Sequence, residues 1–108
     1  MNNITSLTSF EDVCTLVSVT LTKGENFERV EEETSREVFC TARSVSSQEY
    51  WKAQQEGSRA DIEILVQPTE YEGERYLEYK GKRYIVYRVY ETADATELYC
   101  QERAGVEE

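Results

Sequence analysis

The sequence predicts a mainly β fold, a small antiparallel β-barrel or sandwich of about six strands with one short helix between strands two and three. Short runs of β-branched and aromatic residues alternate in hydropathy and are separated by turn residues. The stretch from Ser46 to Gln55 carries helix signals instead. The 108 residues show no repeat and no low-complexity segment, so we expect one domain over residues 1–108.

The first strand is predicted from Val13 to Thr22, and Lys23 to Asn26 supplies the turn that follows it. Polar residues then continue until the apolar signal returns at Val38 to Ala42, so the second strand is either ragged or long. The alternation in the first strand places five residues on one face: Val13, Thr15, Val17, Val19 and Leu21.

The helix is delimited at both ends. Ser46 can accept a hydrogen bond from the N–H of Glu49, and the Glu49 side chain can reach back to the N–H of Ser46, which is a capping box. Gly57 ends the helix. A helix of about three turns is marginal in water. Its aromatic residues, Tyr50 and Trp51, therefore need a surface or a partner to cover.

The third strand is predicted from Ala60 to Gln67, where Pro68 stops it because proline cannot donate to a ladder. Its apolar residues Ile62, Ile64 and Val66 are expected to face inward.

A hairpin follows, with strands at Tyr76–Tyr79 and Lys82–Tyr90 around a tight turn at Lys80 and Gly81. Its five tyrosines fall on both faces, so one face is either a solvated row of tyrosine pairs or a protein contact surface. Thr96 to Arg103 forms the last strand. Residues 1–10 and 104–108 are expected to be flexible.

Composition argues against several classes of function. The formal charge is -10, which disfavours a protein that grips nucleic acid. The chain has no histidine and no glycine-rich phosphate loop, so we expect no enzyme, no cofactor and no metal site. Cys14, Cys40 and Cys100 fit neither a disulfide framework nor a metal pair, and we expect them reduced in the core.

Neither a secretory signal nor a membrane span is evident in the sequence, which favours a soluble, cytosolic product.

Taken together, the helix segment Ser46–Gln55, the strand after it, and the hairpin around Tyr79-Lys80-Gly81-Lys82-Arg83-Tyr84-Ile85 resemble the head-tail adaptor, or head-closure, proteins of tailed bacteriophages. The resemblance runs from about Phe10 to Arg103 and rests on strand and turn patterns plus one helix. It favours the barrel over the sandwich.

The resemblance implies a structural virion protein that completes the head-tail connector. Such a protein docks as a ring, dodecameric by analogy, below the portal or adaptor ring, closes the DNA channel and provides the platform for the tail or tail-completion protein. DNA would pass through without sequence-specific binding, and no membrane is involved. The expected location is the virion, after the host cytoplasm.

Two segments are candidates for these contacts. The first is a channel-facing or closure segment, a role implied by the resemblance: Ser46, Glu49, Tyr50, Trp51, Lys52, Gln54, Gln55 and Arg59. The second is an acidic loop between residues 23 and 34 that would face another ring or another subunit: Lys23, Glu25, Asn26, Glu28, Glu31, Glu32 and Glu33.

Two other functions stay open. One is a tail-completion protein on the tail side, which has a similar size. The other is an acidic inhibitor of a host DNA-binding protein, although mimicry of DNA needs carboxylates in regular rows and here the acids are interleaved with arginines.

Overall fold

A computed structural model describes residues 10–26 and 28–103. Of the ends predicted to be flexible, residues 1–9 and 104–108 lie outside that range. The elements are β1 (Asp12–Lys23), β2 (Arg29–Arg43), α1 (Ser47–Gln55), β3 (Ile62–Val66), β4 (Tyr76–Tyr79), β5 (Lys82–Glu91) and β6 (Thr96–Glu102).

The six strands form a closed barrel in the order β1-β2-β3-β6-β5-β4, with every pair antiparallel. The predicted mainly β fold is therefore confirmed as a barrel, with the short helix between strands two and three. Closure removes the open sheet edges of a sandwich, so backbone groups in the barrel wall are paired all the way round.

The core is built from one face of each strand. Cys14 and Leu16 of β1 face it, so the predicted face lies outside this core: Val13 and Leu21 are 43% and 55% exposed, although Val17 between them is only 1% exposed. The two-residue alternation of side chains does not by itself predict which face of β1 is buried, because both faces carry apolar residues. The inward prediction for β3 is correct: Ile64 and Val66 are fully buried and Ile62 packs against them.

All three cysteines lie in the core as predicted, and none forms a disulfide. A hydrogen bond with Cys40, together with burial, raises the pKa of Cys14, and burial raises the pKa of Cys100 to about 12. The thiols of Cys14 and Cys100 are therefore protonated packing groups at neutral pH, whereas the hydrogen bond with Cys14 lowers the pKa of Cys40.

The hairpin between β4 and β5 turns where expected. Lys80 and Gly81 both have positive φ, 50° and 81°, which is the backbone of a two-residue type I′ turn. Tyr79 and Tyr84 point into the core, whereas Tyr90 is 60% exposed. Tyr84 and Tyr90 are six residues apart and would share a face in a regular strand, but a register shift in β5 between them turns Tyr90 outward.

The loop at residues 67–75 is held at one end of the barrel by Arg36. The register places Arg36 opposite Leu16, which points inward. Its guanidinium binds the buried Glu74 carboxylate at 2.9 Å, the Glu70 carboxylate at 3.3 Å and the backbone carbonyl of Glu70. One arginine from β2 therefore fixes the chain that leads into β4.

Candidate contact surfaces

The two candidate segments lie at opposite ends of β2. The acidic segment precedes and forms the start of this strand, and the helix follows its last residue, Arg43, after a short connection. A strand of 15 residues spans on the order of 50 Å. The structure therefore separates the two segments instead of joining them in one site.

The helix begins as predicted, because Ser46 Oγ accepts from the N–H of Glu49 at 3.1 Å. It also ends as predicted. Gly57 has a φ of +85°, Ser58 N–H donates to the carbonyl of Ala53 at 2.8 Å, and Gly57 N–H donates to Gln54 at 3.1 Å. This pair of bonds is a Schellman motif, which needs a left-handed residue where the glycine lies.

Only half of the expected capping box is present. The Glu49 carboxylate accepts from Tyr87 Oη at 2.9 Å and from Arg88 Nε at 3.1 Å. Arg88 also binds Glu56 at 2.9 Å, near the other end of the helix. The first acidic residue of α1 therefore ties the helix to the outer face of β5 through charge-assisted hydrogen bonds.

The outward face of the helix carries its aromatic residues. Trp51 is 62% exposed and Tyr50 is 37% exposed, and their rings meet edge to face with centroids 5.3 Å apart. Gln54 Nε2 donates to Tyr50 Oη at 3.0 Å. Only Ala53 of the helix is buried. The helix therefore shows its large apolar side chains to solvent and its smallest one to the protein.

The remaining residues of the first segment have separate roles. Lys52, Gln54 and Gln55 are exposed on α1. Arg59 lies beyond the helix, where its Nε binds Asp61 at 3.0 Å and its N–H donates to Gln101 at 2.8 Å. The backbone of Arg59 thus anchors the chain between α1 and β3 to β6, while its side chain is 58% exposed beside Asp61.

The second segment is a strand arm and not a loop, so the prediction was wrong in this respect. β1 and β2 stay paired from Asp12 and Cys40 as far as Lys23 and Arg29, so the chain turns only between residues 24 and 28. We call the ribbon formed by Ser18–Lys23 and Arg29–Thr34 the arm. Of the two forms predicted for the second strand, ragged or long, the structure has the long one. Its polar half takes its conformation from pairing with β1 and not from its own apolar alternation.

The arm presents its glutamates on both faces. Glu31 and Glu33 pair with Leu21 and Val19 and share their face, while Glu32 pairs with Thr20 on the other. Glu25, Asn26 and Glu28 lie at the tip, where Glu28 Oε1 accepts from the N–H of Asn26 at 3.0 Å. All three are exposed.

Arg83 binds the arm to the barrel wall, a contact that the sequence did not predict. Its two terminal nitrogens contact the two oxygens of Glu33 at 3.0 and 3.2 Å, and it also binds Glu78 at 2.7 Å. This hydrogen-bonded pairing lowers the pKa of Glu33 and raises that of Arg83. The arm is thereby held on the side of β4 and β5.

A group of cations surrounds Tyr76 next to this contact. The guanidinium carbons of Arg75, Arg83 and Arg103 lie 5.9, 5.5 and 5.3 Å from the centre of its ring. Such cation–π contacts are favourable. These arginines are distant in the sequence, and only the tertiary structure brings them together as a basic surface.

The described surface carries depressions that are open to solvent. One depression of about 300 Å³ lies beside the helix, lined by Ser46, Gln48, Glu49, Lys52 and Tyr99. Among residues 10–26 and 28–103, no cluster of three or more acidic or sulfur ligands has a metal-binding arrangement. Within the same ranges, no helix is both long and apolar enough to cross a bilayer.

No model of a known protein family matches this chain, and no curated protein matches it either.

Proposed function

We propose that this chain is a structural component of the head-tail connector of a tailed bacteriophage. It docks as a ring below the portal or adaptor ring, closes the DNA channel and provides the platform for the tail. The observation that carries the proposal from the structure is the pair of projecting elements, since neither the arm nor the exposed face of α1 is needed to complete the barrel core.

Ring assembly calls for two different patches on each copy. A head-to-tail contact that closes into a ring joins one surface of a subunit to another surface of its neighbour. The arm and the helix differ in chemistry, one being acidic and the other aromatic through Tyr50 and Trp51, and they emerge at opposite ends of β2. This division supports a role in assembly more than a role as a binding pocket.

The charge is compatible with a channel wall. A surface with a formal charge of -10 repels the phosphate backbone and would not hold DNA as it passes. The basic surface at Tyr76 is small, and Arg83 is already bound by Glu33 and Glu78.

The test is binding to capsids of the parent phage that carry the portal but lack the connector. Negative-stain images of capsids mixed with the purified protein should show added ring density at the portal vertex. Binding to isolated tails and not to capsids would favour the tail-completion alternative and reject the proposal. Binding to neither would also reject it.

A matched pair of variants tests the helix. Trp51→Ala removes a side chain that is 62% exposed, and Tyr90→Ala removes one that is 60% exposed on β5. If the helix face contacts a neighbouring ring, Trp51→Ala should reduce vertex occupancy at least tenfold and Tyr90→Ala should leave it within about twofold, since truncation of a central aromatic costs about 2 kcal/mol or more.

One observation bears on the inhibitor alternative. Glu31 and Glu33 share a face of the arm, as a row of phosphate mimics would. The row is short, because Arg83 neutralises Glu33 and Arg29 lies two residues before Glu31. Recovery of a host DNA-binding protein on the immobilised chain would support this function instead.

A further inference from the structure

The arm leaves one side of β1 without a neighbouring strand. β4 pairs with β1 only at Thr15 to Val17, and among the described residues no strand pairs on that side from Ser18 to Thr22. The chain that leads into β4 does not continue along β1, because it turns over the barrel end where Arg36 binds Glu74. We call Ser18–Thr22 the free edge.

The two sides of the arm differ in charge. The outer side of β2 carries Glu31, Glu32 and Glu33, and charged side chains of this kind discourage another strand from pairing there. The free edge of β1 contains only serine, threonine, valine and leucine. It lacks the charges, proline or bulge with which proteins protect an exposed edge.

The arm itself gains from a further strand. A two-stranded ribbon is marginally stable alone in water, whereas three or more strands with an apolar face are stable. Leu21 is 55% exposed on the arm, and Val19 on the same face is partly exposed. A strand added at the free edge would pair its backbone groups and place further side chains beside Val19 and Leu21.

We propose that the occupant of the free edge is the free edge of a second copy of this chain, in an antiparallel, two-fold arrangement. The segment is self-complementary when Leu21 lies opposite the partner's Leu21, a register that stays clear of the position beside Val17, where Tyr76 of β4 already pairs. Thr20 then lies opposite the partner's Thr22 on the other face. Apolar and hydroxyl pairs of this kind stabilise neighbouring strands, and no carboxylate enters the seam.

Charge and size predict a weak dimer. Two chains of formal charge -10 repel one another, so added salt should strengthen the contact by screening the repulsion. Five residues from each copy bury less than the roughly 1,000 Å² of a stable interface, so dimerisation should depend on concentration. The inference does not depend on the connector function, because it concerns the free protein.

Thr20→Lys and Thr34→Lys make a matched test. Both residues are exposed on the same face of the arm, one on the β1 side and the other on the β2 side, and both substitutions add one positive charge. Sedimentation velocity of the full chain over a concentration series, in roughly 0.1 M and 0.5 M salt, should show a wild-type dimer that strengthens with salt. Thr20→Lys should weaken the dimer at least tenfold, although the added positive charge reduces the repulsion between the two chains. Thr34→Lys should change the dissociation constant less than twofold.

Hydrogen exchange supplies a second readout that does not rely on the variants. The amide protection of the free edge should rise with protein concentration, while that of Leu77 and Leu98 in the barrel stays constant. A wild-type chain that remains monomeric at millimolar concentration overturns the inference. So does equal weakening by both lysines, and so does a free edge already protected in the monomer, which would mean that another part of the same chain covers it.

Discussion

Arg36 is the residue that joins two distant parts of the chain at the barrel end. Its guanidinium binds the Glu74 carboxylate, whose side chain is only 8% exposed. It also binds the carboxylate and the backbone carbonyl of Glu70. We expect Arg36→Met to lower the free energy of unfolding by about 2 to 3 kcal/mol, because it leaves a buried carboxylate without its cation. Chemical denaturation would measure this, with Arg75→Met as the control, since Arg75 is exposed and contacts only the Tyr76 ring.

The same contact predicts a dependence on pH. Burial on its own would raise the pKa of Glu74, but hydrogen bonds from backbone N–H groups and from Arg36 outweigh it, and the pKa is lowered from 4.5. A lowered pKa stabilises the fold above the unfolded value, and the stabilisation is lost as pH falls through the folded value. The wild type should therefore lose stability below about pH 4.5, and Arg36→Met should show a smaller loss over that range. Equal slopes for both proteins would contradict this.

Trp51 contributes little to the stability of the isolated chain. Its side chain is 62% exposed and its ring contact is with Tyr50 of the same helix. Trp51→Ala should change the free energy of unfolding by less than about 0.5 kcal/mol, as for most surface substitutions. Leu77→Ala, which empties a fully buried position, should cost about 2 to 5 kcal/mol. A loss of the same size for Trp51→Ala would place the indole in contact with the barrel.

At the scale of elements, the helix is attached to the barrel by side chains that reach outward from β5. Arg88 contacts Glu49 in the first turn and Glu56 at the C-cap, so carboxylates from both ends of the helix bind one guanidinium group. A short helix with a single buried residue depends on such attachments.

Arg88→Met should therefore loosen α1 before it affects the barrel. Hydrogen exchange of the helix amides should accelerate at least tenfold, while amides of β3 and β6 keep their protection. Lys52→Met is the control, because it removes the same charge from an exposed side chain of the same helix. Exchange that accelerates equally in α1 and β3 would show that the helix is part of one cooperative unit with the barrel.

The elements differ in how well the sequence predicted them. β3 and the β4–β5 hairpin follow from local patterns, since Pro68 and the Lys80-Gly81 turn fix their limits. The helix follows from Ser46 and Gly57. For the arm the sequence left a ragged and a long second strand open, because residues 29–34 are strand through pairing with β1 and not through their own alternation. The Arg83–Glu33 and Arg36–Glu74 contacts join residues 50 and 38 positions apart, which no local pattern predicts.

At the scale of the whole molecule, the closed barrel protects its three thiols. Cys14, Cys40 and Cys100 are at most 2% exposed. Their reaction with a thiol reagent should therefore require opening of the barrel, and the rate should follow the global unfolding equilibrium as denaturant is added. A rapid phase for one thiol in the native protein would reveal local opening at that strand.

β2 is continuous from the arm to the residues just before the helix, and along most of its length it is bonded to β1. If neighbouring subunits hold the two ends, tension between them runs along a single extended backbone. It is then resisted in shear by many cross-strand hydrogen bonds acting together instead of being unzipped one at a time. We therefore expect the connection between the two contact surfaces to extend little when force is applied along β2.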